Sequence, residues 1–134
     1  MLRMNMESKS MLGKVVLWIS AVSFTSYGLV CLLSPEVPAG YAGLKMVNGN
    51  AIAEIGAMYG GLQTGFGLFC LLGALNHSFY KQGLVLLVLC IGSLALARLF
   101  STLVITDPVS GYTWGAMIYE FVTATLAALA LRKT

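Results

Sequence analysis

Three side chains carry charge inside stretches of this sequence that are otherwise apolar: Glu54, Arg98 and Glu120. Charge placed within a membrane helix costs at least about 2.5–3.5 kcal/mol on insertion scales, so it normally faces a partner or a water-filled cavity. A guanidinium can fork onto one carboxylate with two parallel hydrogen bonds, and here two carboxylates compete for one arginine. The surplus negative charge is disfavoured in a low dielectric, which leaves one glutamate to hold a proton. Glu54 lies near a helix N-terminus, where the helix dipole favours the ionised form. Glu120 lies deeper and is the expected proton carrier. Such a pair could work as general acid (Glu120) and general base (Glu54), with Arg98 orienting the substrate. Ser23, Tyr27, Tyr59, Thr102 and Tyr119 are the neutral polar residues placed to contact a ligand beside them.

These groups must be positioned by helices. The chain has 134 residues, 58% hydrophobic and only 10% charged, with a mean hydropathy of +0.86. A soluble domain is about 25% charged because its surface faces water, so lipid must cover much of this one. Four windows, near 15–34, 51–75, 83–105 and 113–131, reach the roughly 20 apolar residues that cross a bilayer. The expected fold is all-α, a four-transmembrane-helix bundle forming one integral membrane domain over residues 1–134. Residues 1–14 could pass for the start of a signal peptide, but the apolar run behind them is longer than the usual core of one. A retained first helix is expected.

The net charge of +3 makes no nucleic-acid footprint, because the basic residues flank the spans instead of forming a patch. Arg3, Lys9, Lys14, Lys81, Arg132 and Lys133 fall on one side of the bundle, and Lys45 on the other. The positive-inside rule then puts both termini in the cytoplasm. Asn76-His77-Ser78 matches a glycosylation pattern but falls on that cytoplasmic side. Cys31, Cys70 and Cys90 have no paired spacing, and His77 has no second ligand. No metal site or cofactor is indicated.

Along the chain, Ser20, Ser23 and Tyr27 form a polar stripe on the first span, which Pro35 ends. The connection 35–50 could rest on the outer surface as a short amphipathic lid, with Asn50 capping the second span. On a regular helix Glu54, Ala57, Gly61 and Gly65 share one side, and Gly56, Gly60, Gln63 and Gly67 the other. Small residues on both sides let neighbours approach from two directions and allow a homo-oligomer. Tyr59 lies about 140° round from Glu54, so the two cannot share a narrow face. Residues Gly73 to Gln82 are expected to turn the chain, and Gly111, Tyr112 and Trp114 to make a tight outer turn. On the fourth span Ala116, Glu120, Thr123, Ala124 and Ala127 form a seam.

Depth follows from the rise of about 1.5 Å per residue: Glu54 is roughly 5 Å from its outer end, Arg98 and Glu120 about 10 Å. Every span thus places a polar group in the outer half, while the inner half is nearly all aliphatic. Three readings follow. The first is an outer-leaflet pocket that binds a lipid-like or small apolar ligand, or docks a membrane partner. The second is a membrane-embedded enzyme of isomerase, epoxide-opening or cyclase type. The third is a proton-coupled transporter, which would need polar groups through the inner half as well. A purely structural Glu–Arg–Glu staple stands beside all three.

Glu54-x-x-x-x-Tyr59-Gly60-Gly61, followed by Gly67, resembles a bacterial family of small four-helix membrane proteins of unknown function, related to the DoxX-like group. Arg98, Asp107 and Glu120 extend the likeness over nearly the whole chain. Many members carry a basic residue where this chain has Gly56, so Arg98 is left as the one cation within a span. The resemblance implies a multi-pass protein of the bacterial inner membrane and a fold, not a reaction.

Overall fold

A computed structural model of the chain describes residues 2–132, with side chains from residue 11 onward. Arg3, Lys9 and Lys133 of the charge count therefore lie outside the described side chains. Among the described residues the protein is all-helical: α1 (Leu2–Leu33), α2 (Glu36–Ala42), α3 (Gly49–Leu75), α4 (His77–Val104) and α5 (Gly111–Leu131). Four of these, α1 over Met11–Leu33 together with α3, α4 and α5, are long and apolar enough to cross a membrane. The fifth, α2, occupies the connection between α1 and α3.

Several ends differ from expectation, each for a local reason. The cap of α3 is Asn48 and not Asn50, because the Asn48 side chain accepts a hydrogen bond from the Ala51 backbone N–H. No extended turn joins α3 to α4. Asn76 alone does it: its backbone N–H closes α3 on the Leu72 carbonyl, while its side chain accepts from Ser78 N–H and starts α4. Phe79, Tyr80, Lys81 and Gln82 are consequently helical. Gly111, Tyr112 and Trp114 form the first turn of α5 instead of a loop. The 35–50 connection folds into α2, which ends at Gly43 with φ +68°, a left-handed conformation that costs glycine little.

Glycine brings α1 and α3 together. A Cβ on Gly67 would strike the Thr25 side chain and lie 2.5 Å from the Thr25 backbone nitrogen. One on Gly60 would come within 2.9 Å of the Leu32 Cβ, and one on Gly28 within 2.5 Å of the Thr64 backbone nitrogen. The backbones approach this closely only because no side chain intervenes. The other side of α3 is unused. Gly61 and Gly65 are exposed, and a Cβ on Gly65 would meet nothing within 4 Å. Along Gly56–Gly67, close approach therefore comes from one direction.

The second crossing, between α3 and α4, lies beside the Asn76 turn. A Cβ on Gly73 would sit 3.5 Å from the Gly83 Cα. Around it, Leu17, Cys70, Leu84, Leu87 and Ile91 are fully buried, with Tyr80 laid against Gly13. The core sits at this end of the molecule.

Two turns of wider winding interrupt the long helices. In α3, over Gly56–Gly61, the Leu62 N–H bonds back to the Ala57 carbonyl, five residues earlier. In α4, over Leu87–Ile91, the Gly92 N–H does the same to Leu87. Each such π turn holds one extra residue, which rotates everything beyond it by about 100° relative to an unbroken helix.

Candidate functional site

Away from the Gly73–Gly83 crossing, α3 and α4 diverge, and the gap is floored by α1 and α5. The result is a cavity of about 650 Å³. Ser23, Phe24 and Tyr27 reach it from α1, and Met58, Tyr59, Leu62, Gln63 and Phe66 from α3. Cys90, Ser93, Leu94 and Arg98 come from α4, and Tyr112, Ala116, Tyr119 and Glu120 from α5. The volume lies within the range of about 300–1,000 Å³ usual for small-molecule sites, as does the mixture of apolar wall and few polar groups.

One ion pair lies in this wall. Arg98 donates from Nε to Glu120 Oε2 at 3.0 Å and from Nη2 to Glu120 Oε1 at 2.7 Å. The Glu120 side chain is 6% exposed and that of Arg98 25%. Two N–H groups on two oxygens is the forked geometry that guanidinium and carboxylate planes favour. It ties α4 to α5 where those helices would otherwise present a buried charge each.

Tyrosines close the end opposite the Asn76 turn. The Tyr27 and Tyr112 hydroxyls share a hydrogen bond at 3.2 Å, joining α1 to the first turn of α5. Tyr41 of α2 stacks on Tyr112, with ring centroids 5.9 Å apart and planes at 19°. Deeper in, Phe24 meets Tyr119 edge to face at 6.0 Å. Two buried polar atoms of the lining residues, Gln63 Oε1 and Tyr119 OH, have no hydrogen-bond partner. Burial without a partner costs each about 1–3 kcal/mol, so their neighbours in the intact system matter.

The structure thus gathers Ser23, Tyr27, Tyr59, Arg98, Tyr119 and Glu120 around one cavity. It leaves out two expected residues. Thr102 is half-buried and does not line the cavity. Glu54 is exposed near the start of α3, and Arg98 is bonded to Glu120 instead. The three-member Glu–Arg–Glu cluster is therefore corrected to an Arg98–Glu120 pair. Glu54 and the cavity-lining Tyr59 and Gln63 fall on different faces of α3. That separation agrees with the expectation that Glu54 and Tyr59 cannot share a narrow face.

Sequence reasoning missed Tyr112, which reads as a loop aromatic between Pro108 and Trp114. It also gave Gln63, which lines the cavity, no part in a site. The signal for Gln63 was present: an amide in the middle of an apolar span needs a partner, and none was identified.

A family described as a domain of unknown function (DUF4345) matches residues 12–131, and the chain belongs to it. No curated protein and no solved structure matches the chain significantly.

Proposed function

We propose that this member of the DUF4345 family is a four-span integral membrane protein whose Arg98–Glu120 cavity binds a lipid-like or small apolar ligand. One observation carries the reading: a cavity of about 650 Å³ opens between four helices, with a mostly apolar wall that holds an ion pair and several neutral polar side chains. A staple alone would need the ion pair but not the space beside it. The large exposed apolar side chains along all four long helices, such as Ile19, Leu68, Leu96 and Ile118, support a lipid environment. Membrane lipids are then both its solvent and its nearest source of ligand.

The orientation belongs to the same proposal. Lys14, Lys81 and Arg132 stand at the end with the Asn76 turn, and Lys45 at the other. Positive-inside bias puts the cavity in the outer leaflet of a bacterial inner membrane, with both termini cytoplasmic. The DoxX-like resemblance of the sequence is in keeping with a small bundle of this kind.

The enzyme reading is weakened by the placement of Glu54, because an acid and a base must both reach one substrate and only Glu120 lines the cavity. A proton path meets the aliphatic floor formed by Leu84, Leu87 and Ile91, all fully buried.

The test is native mass spectrometry of mildly extracted protein, wild type beside Glu120→Gln. A defined adduct on the wild type, lost or weakened in the folded variant, is expected. No adduct on either, with the variant only less stable, would return the ion pair to a structural role.

A further inference from the structure

The cavity's charge, its neutral polar lining and its opening together narrow the ligand, on the premise that it is a ligand pocket. Arg98 and Glu120 are the only Asp, Glu, Lys or Arg among its lining residues, and they are bonded to each other. A charged head group would enter a low-dielectric site with no counter-charge, at a cost that desolvation makes large. The neutral polar residues of the lining, among them Ser93, Tyr59, Gln63 and Tyr119, offer both hydrogen-bond donors and acceptors. A hydroxyl can pair with both. A carboxylate cannot donate, and a quaternary ammonium can neither donate nor accept.

The way in is equally constrained. At the far end the Tyr27–Tyr112 bond joins two lining residues of α1 and α5, and at the near end the Gly73–Gly83 crossing shuts the cavity. The lining residues that remain exposed lie on the flanks of α3 and α4: Met58 at 48%, Leu62 at 43%, and Ser93. That flank would face hydrocarbon. We propose that the cavity takes an uncharged, hydroxyl-headed amphiphile that enters sideways from the lipid, between α3 and α4.

The test uses the full chain reconstituted in phosphatidylcholine vesicles. Three photoreactive chains of equal length, each with an aliphatic diazirine, end in an alcohol, a carboxylate or a quaternary ammonium. Labelled residues are mapped by peptide mass spectrometry. The alcohol is expected to label Phe66 and Leu94 about tenfold more than the other two, given what an unmet buried hydrogen bond costs. Ser93→Trp or Met58→Trp, each at an exposed position and checked for helicity, should block that labelling, while Leu96→Trp on the outer surface should not.

Equal labelling by all three heads, or preference for a charged one, would overturn the head-group assignment and leave the pocket reading standing. Undiminished labelling in both mouth variants would overturn the sideways entry. Cavity labelling no greater than that of outer-surface Ile118, for every probe, would remove the pocket reading itself and this inference with it.

Discussion

The two ends of this molecule are built from the same four helices and pack in opposite ways. Beside the Asn76 turn, Gly73 and Gly83 let α3 and α4 touch, and Leu17, Leu84, Leu87 and Ile91 fill what remains. Beyond Cys70 and Cys90 the same two helices part, and the space holds an ion pair, tyrosines and unmet polar atoms. Polarity alone does not explain the difference in packing, since the walls of both halves are mostly apolar. What separates them is where a missing side chain allows contact. A tight crossing at one end of two straight rods forces them apart at the other, and the polar residues occupy the part that cannot close.

That contrast can be broken most severely at the ion pair. Arg98→Leu alone strands the Glu120 carboxylate and should destabilise the protein by about 3 kcal/mol, the lower end for a buried pair since Arg98 is partly exposed. The double replacement Arg98→Leu with Glu120→Leu should recover most of this, as measured by unfolding midpoints in mild detergent. If the double variant is no better than the single, the pair is more than a charge-compensated tie.

A glycine exchange on α3 sharpens the same comparison. Gly67→Ala forces the Thr25 backbone away and should cost about 1–3 kcal/mol. Gly65→Ala, facing open space two residues earlier, should instead be neutral or stabilise by up to about 1 kcal/mol through helix propensity. Equal effects in thermal unfolding would mean that the α1–α3 contact is not set by glycine.

Smaller changes probe the tyrosine end. Tyr112→Phe removes the bond to Tyr27 and keeps the ring under Tyr41, for an expected loss of about 1 kcal/mol. Least of all, Glu54→Gln should stay within about 0.5 kcal/mol and leave any bound adduct in place, because the side chain is exposed and outside the cavity. Loss of the adduct in that variant would restore the three-member cluster.

The long helices were readable in the sequence because runs of apolar residues leave few alternatives, and four appear close to their expected windows. Arg98 and Glu120 were readable as partners because their depths matched. Glu54 was misassigned although its depth, roughly 5 Å against about 10 Å for Arg98 and Glu120, already set it apart from that pair. Asn48 and Asn50 are equally good caps by type, and only the Ala51 N–H distinguishes them. Tyr112 was hidden by its surroundings, since glycine and proline nearby read as a loop until Ser110 is seen to start a helix.

The π turn at Gly56–Gly61 has a consequence for how the chain tolerates changes of length. Such a turn is an ordinary helix carrying one inserted residue, so deleting one there converts it to regular winding without shortening any contact below it. Gly67 would stay against Thr25, and the cavity floor would not move. The stretch Gly49–Ile55 would keep its place as well, with Glu54 on the same flank, because the extra residue and the extra arc are removed together. A single-codon deletion at this place is therefore absorbed locally, whereas one in a regular stretch of α3 would turn a face by about 100°.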